Sequence, residues 1–90
     1  MKTIHKYPLA LTDTQVVMLP EGAVALSAQM QAGRLQMWAL VDAERPRSAA
    51  RAVHIAGTGH PCPKDVGSMC HLGTVQLDGG ELVFHVFITP

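Results

Sequence analysis

The sequence predicts an all-β fold, a small antiparallel sandwich or barrel of about seven short strands with no long helix. Three observations support this. Apolar and polar residues alternate with a period of two along most of the chain, as they do in half-buried strands. Turns rich in glycine and proline separate these segments at short intervals. With 90 residues the chain is expected to form a single domain spanning residues 1–90.

Four strands are predicted in the N-terminal half of the chain: residues 2–7, 15–19, 23–31 and 34–41. The first ends at Pro8, because proline cannot donate to a strand ladder. Ala32-Gly33 is expected to close a hairpin between the third strand and the fourth. Since the fourth strand carries apolar residues on both faces, it is expected to be covered on both sides.

Three strands are predicted in the C-terminal half: residues 51–56, 74–77 and 81–88. The charged segment Asp42–Ala50 before them is interpreted as a mobile hairpin loop. Residues 61–69 are interrupted by proline and glycine and are expected to hold at most a helical turn. The residues of Asp78-Gly79-Gly80 accept positive φ and predict a hairpin turn between the last two strands. Because the last strand is apolar on both faces, we expect it to be central in its sheet or buried at an interface.

Composition limits the partners of the protein. Seven basic and seven acidic residues give a formal net charge of zero, whereas a direct DNA-binding protein needs a basic face. Hydrophobic residues make up 48% of a chain too short to bury a thick core. We therefore expect part of the apolar surface to be covered in a homo-oligomer.

The sequence also bears on the compartment. It contains neither an apolar signal-peptide core nor a run of about 18 apolar residues that would span a membrane. An intracellular protein without membrane contact is expected, and its two cysteines are expected to be free thiols.

The loop Gly57-Thr58-Gly59-His60-Pro61 combines glycine, a hydroxyl and an imidazole in one turn. Such a turn can direct successive backbone N–H groups at a phosphate, and histidine changes its charge near neutral pH. Phosphate-binding glycine loops usually lead into a helix, however, and here prolines follow. The alternative is a sharp turn that needs glycine for its backbone, with His60 bonded to the main chain.

His60, Cys62, Cys70 and His71 are all of metal-ligating type. Their spacing is poor for zinc, because structural sites usually place paired ligands two to four residues apart. No metal and no cofactor is therefore expected. A Cys62 nucleophile with His60 as its base is the enzymatic alternative, but it needs a third group to orient the imidazole. A protein without catalytic activity is the preferred interpretation.

His85 interrupts the apolar last strand, and His54 lies on the strand that leads to the glycine loop. A histidine in such a position is commonly a core residue whose hydrogen bonds are satisfied. If both point the same way as His60, the three imidazoles indicate a polar pocket. Trp38 either lines such a pocket or fills the core.

Seven segments distributed along the chain carry a resemblance to a known family: TIHKYPL at residues 3–9, LPxGA at 19–23, QxQ at 29–31, WAxVD at 38–42, GTGHP at 57–61, GTVQ at 73–76 and LVFHVF at 82–87. In these segments the sequence resembles a family of short proteins encoded by tailed bacteriophages and prophages. Cys62 and Cys70 depart from the family pattern, which weighs further against zinc. Trp38, Thr58, Gly59, His60 and His85 fall on motif positions.

The resemblance implies an accessory protein in the cytoplasm of the bacterial host, without an established activity. We expect it to antagonise a bacterial defence system, either by sequestering a small nucleotide ligand or by occluding a defence protein. In the nucleotide case the amides of Gly57–Gly59 hold phosphate, His60 and Arg51 make polar contacts, and Trp38 or Tyr7 stacks on a base. The expected ligand-binding residues are Gly57, Thr58, Gly59, His60, Trp38, Arg51 and His85. The alternative is a structural or assembly protein of the phage particle that has no ligand site.

Overall fold

The computed structural model describes residues 1–90 as seven strands in two antiparallel sheets. The strands are β1 (Lys2–Pro8), β2 (Thr14–Pro20), β3 (Val24–Gln31), β4 (Arg34–Asp42), β5 (Arg47–Gly57), β6 (Cys70–Leu77) and β7 (Leu82–Ile88). Val66–Ser68 is a single turn of 3-10 helix, and Asp78–Gly80 is a tight turn between β6 and β7. The predicted all-β class is confirmed, as a sandwich and not as a closed barrel. No helix is long and apolar enough to cross a membrane.

The two sheets have the strand orders β1-β4-β3 and β2-β5-β7-β6. β7 lies between β5 and β6, which confirms the prediction that the last strand is central. β3 and β6 approach each other closely where the two sheets adjoin: a Cβ added at Gly73 would lie 2.6 Å from the carbonyl oxygen of Ala28. β-Bulges interrupt the register of both strands near this approach, after Ala25 and after His71. β1 and β2 each keep one edge without a neighbouring strand.

The core lies between the facing sides of the two sheets and consists mainly of aliphatic side chains, with Tyr7 among them. Its largest fully buried members are Leu19, Met37, Val41, Val53, Val86 and Ile88. They occupy alternate positions along their strands, because successive side chains of a strand point to opposite faces. Each sheet therefore also has an outer face, directed away from this core. The outer face of the three-stranded sheet includes Trp38, and that of the four-stranded sheet includes His85.

Both predicted hairpins form. Ala32 and Gly33 have φ values of 50° and 77°, as a two-residue turn between twisted antiparallel strands requires, and β3 pairs with β4. The second hairpin joins β6 to β7 through Asp78–Gly80, all of whose residues have positive φ.

The interpretation of Asp42–Ala50 as a hairpin loop is wrong. β5 begins at Arg47, and its first residues pair with β2, Ala49 opposite Leu19. β4 and β5 belong to different sheets, so residues 43–46 cross from one sheet to the other. The segment Ser48–Ala50 has no strong strand propensity of its own, and β2 supplies the hydrogen-bonding partner that holds it extended.

Candidate functional site

The glycine loop leaves β5 at Gly57 and turns immediately. The N–H of Thr58 donates to the carbonyl oxygen of Val83 at 3.1 Å, and the N–H of His60 donates to that of Gly57 at 3.0 Å. Gly59 has a φ of 84°, in the left-handed region that favours glycine. Because the amides of Thr58 and His60 are engaged within the protein, the loop does not form the row of free amides expected for phosphate.

His60 lies at the centre of the concave surface around this loop. Its ring packs beside Gly57, where an added Cβ would lie 3.1 Å from Nδ1. His60 and Gly57 line three open clefts, of about 450, 250 and 100 Å³. The ring nitrogens of His60 make no hydrogen bond within the chain, so the imidazole is available to a partner.

The residues lining the three clefts define what we call the loop site. The largest cleft is lined by Asp13, Thr14, Ile55, Ala56, Gly57, His60, Pro61, Cys62 and Pro63. The second adds Thr58, Glu81, Leu82, Val83 and Phe84, and the third adds Leu11 and Thr12. Asp13 and Glu81 are its only charged residues, since no lysine or arginine lines any of the three clefts. Leu11 and Leu82 are exposed there.

A chain of side-chain hydrogen bonds fixes Thr58 to the outer face of the four-stranded sheet. The Thr58 hydroxyl lies 2.7 Å from Nε2 of His85. The Thr74 hydroxyl lies 3.0 Å from Nδ1 of the same ring and 3.4 Å from Nε2 of His71. A neutral His85 donates to one threonine and accepts from the other, and a protonated His85 donates to both. The network therefore anchors the loop in either protonation state.

Three histidines share this outer face. His54 and His71 pair with Phe87 from its two sides, and His85 precedes Phe87 by two residues on the same strand. The rings of His71 and Phe87 are 5.2 Å apart. Nδ1 of His54 is buried without a hydrogen-bond partner. His60 instead lies on the side of the sheet that carries Phe84, because Gly57, against which it packs, pairs with Phe84.

The structure brings together five of the seven expected ligand-binding residues. Gly57, Thr58, Gly59 and His60 form the loop, and His85 supports it through Thr58. Sequence reasoning missed Thr74 and the pairing of His71 with this network. The bulge after His71 is the cause. A regular period of two places residues 71 and 74 on opposite faces, and the bulge brings both to the same face.

Arg51 and Trp38 lie away from the loop. Arg51 donates to the carbonyl oxygens of Thr89 and Ala23, at 2.8 and 3.2 Å. It precedes Gly57 by six positions along β5, about 20 Å in an extended strand. Trp38 is half-buried on the outer face of the other sheet, where it pairs with Lys6 and Ser27. Tyr7, the alternative stacking residue, is buried in the core.

The metal-ligating residues do not assemble. Cys62 and Cys70 are free and exposed, and no group of three His, Cys, Asp or Glu side chains is placed to hold a metal ion. Cys62 and His60 line the same cleft. No hydrogen bond orients the His60 ring. A Cys62 nucleophile with His60 as its base would therefore lack the third residue that holds the imidazole in place in a catalytic triad.

A scan against protein-family models matches residues 1–90 to a domain of unknown function, DUF7352. Neither the curated proteins nor the solved structures give a match.

Proposed function

The chain belongs to the DUF7352 family, and we propose that it is an accessory binding protein whose loop site docks a segment of a partner protein. The observation that carries the proposal is the position of His60, an unpaired imidazole where three open clefts meet. Exposed Leu11 and Leu82 supply apolar contact area beside it. An apolar centre with polar groups around it is the usual anatomy of a protein–protein interface.

The charges of the loop site favour a protein segment over a nucleotide. Asp13 and Glu81 contribute two carboxylates, which repel phosphate, and no cation lines the clefts to offset them. The Arg51 guanidinium is held by main-chain carbonyls elsewhere. A lysine or arginine of the partner satisfies the carboxylates, and an aliphatic neighbour of that residue packs on Leu82.

The biological role proposed with this site is antagonism of a bacterial defence system. It rests on the resemblance of seven sequence segments to phage and prophage proteins. Four of these segments include residues of the loop site, of the hydrogen-bond network that supports it or of strand β2: residues 19–23, 57–61, 73–76 and 82–87. In this role the protein acts in the host cytoplasm. It binds a defence protein and occludes that protein's working surface.

A second candidate is supported by the outer face of the three-stranded sheet. Ile4, Leu40 and Val24 form one row across β1, β4 and β3, with Trp38 in the next row. Ile4 and Val24 are exposed. A flat apolar surface of this kind suits a structural or assembly protein of the phage particle, which would copurify with virions.

The loop site is tested by replacing its central side chain, with His60→Ala as the variant and His5→Ala as the control. His5 lies on β1, lines none of the three clefts and does not belong to the network around His85. Tagged protein is produced in hosts that carry or lack defence genes, and the captured partner is then purified for titration. We expect His60→Ala to weaken its binding at least about tenfold, as for a central interface residue.

The melting temperature serves as the control for folding, and His60→Ala is expected to leave it nearly unchanged because the side chain is exposed. Wild type and His5→Ala should protect infecting phage equally in hosts that carry the defence genes. Unchanged partner affinity in His60→Ala would contradict the assignment of the loop site. Copurification with virions, with no protection of phage, would instead support the assembly role.

A further inference from the structure

β2 is an edge strand, and no charged residue protects its free edge against pairing. It pairs with β5 on one side and with no strand on the other. Thr14–Pro20 contains no charged residue, and its proline stands at the end. Val16 and Met18 are 65% and 45% exposed. A free edge that is apolar and uncharged is prone to associate with another strand.

β1, the other strand with a free edge, is different. It carries Lys2 and Lys6, whereas β2 carries no charged residue; both strands end in proline. Lysine is one of the residues with which natural edge strands resist unwanted pairing. The protein therefore protects the free edge of the three-stranded sheet and leaves that of the four-stranded sheet unprotected.

The main chain of β2 is arranged to pair with a copy of itself. Just before β2, the N–H of Ile55 donates to the carbonyl oxygen of Asp13. Hydrogen-bonded and non-hydrogen-bonded pairs alternate in an antiparallel ladder, so the N–H and C=O groups of Val16 and Met18 point away from β5. A second copy related by a two-fold axis at Val17 places Val16 of each copy opposite Met18 of the other. The free main-chain groups of each strand then meet complementary groups, and the two apolar side chains pair on the outer face.

We propose that the chain forms a two-fold symmetric dimer in which β2 pairs antiparallel with β2 of a second copy, centred on Val17. The dimer joins two four-stranded sheets into one continuous sheet. It gives a specific interface to the homo-oligomer expected from composition, and it does not depend on the function proposed for the loop site.

The interface is tested by giving β2 the protection that β1 has. The variant Val16→Lys with Met18→Lys is compared with Val24→Lys plus Leu26→Lys, a matched control on β3. The control residues are 52% and 47% exposed, so both variants place lysines at similarly exposed aliphatic positions. Sedimentation velocity of the wild type should give twice the 9.6 kDa mass of one chain. The β2 variant should raise the dimer dissociation constant at least about tenfold, and the β3 variant should leave it unchanged.

A cysteine cross-link tests the register. In a background with Cys62→Ser and Cys70→Ser, Val17→Cys should form an intermolecular disulfide on mild oxidation. Facing residues of a non-hydrogen-bonded pair lie about 4.5 Å apart at Cα, within the range a disulfide spans. Met18→Cys should not cross-link, because the two copies of residue 18 are offset beyond the limit of about 7 Å. A monomeric wild type, or a dimer lost only in the β3 variant, would overturn the proposal; equal cross-linking of the two cysteine variants would overturn the register.

Discussion

Among single residues, Thr58 and His60 of the glycine loop have different roles. Thr58 holds the loop, because its hydroxyl is bonded to His85 on the outer face of the four-stranded sheet. His60 projects to the other side of that sheet, beside Gly57, and its ring is free. His85 is therefore a positioning residue that acts on the loop site through Thr58.

This division predicts the effect of Thr58→Val, which keeps the shape of the side chain and removes its hydroxyl. The free energy of unfolding should fall by about 0.5–1 kcal/mol, the usual contribution of a partly exposed hydrogen bond. Amide exchange should accelerate in residues 57–60. Thr3→Val is the matched control, since Thr3 is exposed and its hydroxyl makes no hydrogen bond. Equal exchange rates in the loop of both variants would show that the hydroxyl does not anchor it.

A second prediction concerns Asp42, at the far end of β4. The N–H of Glu44 donates to its carboxylate at 3.1 Å and lowers the pKa of Asp42 below its usual 3.8, with smaller contributions from the N-terminal amine and Arg45. A depressed pKa in the folded state stabilises the protein above the unfolded value, and this stabilisation is lost as the pH falls through the folded value. The melting temperature of wild type should therefore exceed that of Asp42→Asn near neutral pH, and the two should converge below pH 3.8. A constant difference down to about pH 2 would contradict this account of the carboxylate.

At the scale of strands, the approach of β3 and β6 depends on one glycine. A Cβ at Gly73 would lie 2.6 Å from the carbonyl oxygen of Ala28, a main-chain atom that cannot rotate away. The bulges in both strands lie at or near this point. The glycine allows the two sheets to adjoin here without a hydrogen-bonded ladder.

Gly73→Ala should therefore lower the free energy of unfolding by about 1–3 kcal/mol, the range for forcing an extra carbon into a packed region. Gly67→Ala is the matched control, because a Cβ at Gly67 meets no atom within 4 Å. Chemical denaturation of both variants measures the difference. If Gly73→Ala is as stable as Gly67→Ala, the close approach of β3 and β6 does not constrain residue 73.

Strands were predictable where one face is buried and a turn with a clear sequence signal follows. β3 and β4 around Ala32-Gly33 are an example, because alternation and the turn both specify the same register. The start of β5 was not predictable, because small residues extend there only through pairing with β2. The first residues of β6 were missed for a related reason, since the bulge after His71 interrupts the alternation.

The candidate site was predictable in part. The residue types of the glycine loop predict a candidate site there, and in the structure His60 lines three clefts beside that loop. The positions of Arg51 and Trp38 relative to the loop depend on which strands belong to which sheet. Strands far apart in the sequence pair to form these sheets, and the local sequence does not encode that pairing. The carboxylates of Asp13 and Glu81 come from distant turns and were therefore not associated with the loop.

In the whole molecule, the surfaces to which functions are proposed lie on separate parts of the sandwich. The loop site lies where β5 ends and β7 begins, and the free edge of β2 is available for a second copy. The outer face of the three-stranded sheet carries the apolar row of Ile4, Leu40 and Val24. The net charge of zero provides no long-range attraction for a strongly charged partner. The recognition proposed for the loop site therefore depends on local contacts.

Amide hydrogen exchange, measured on the protein alone and in complex with the partner captured from host cells, shows whether the partner docks at the loop site. If the partner docks at the loop site, amide exchange should slow in residues 11–14, 57–63 and 81–84. Exchange in β1 and β3, residues 2–8 and 24–31, should stay unchanged. Slowed exchange in residues 2–8 and 24–31, with the loop unaffected, would contradict the loop site and place the partner on the apolar face of the three-stranded sheet.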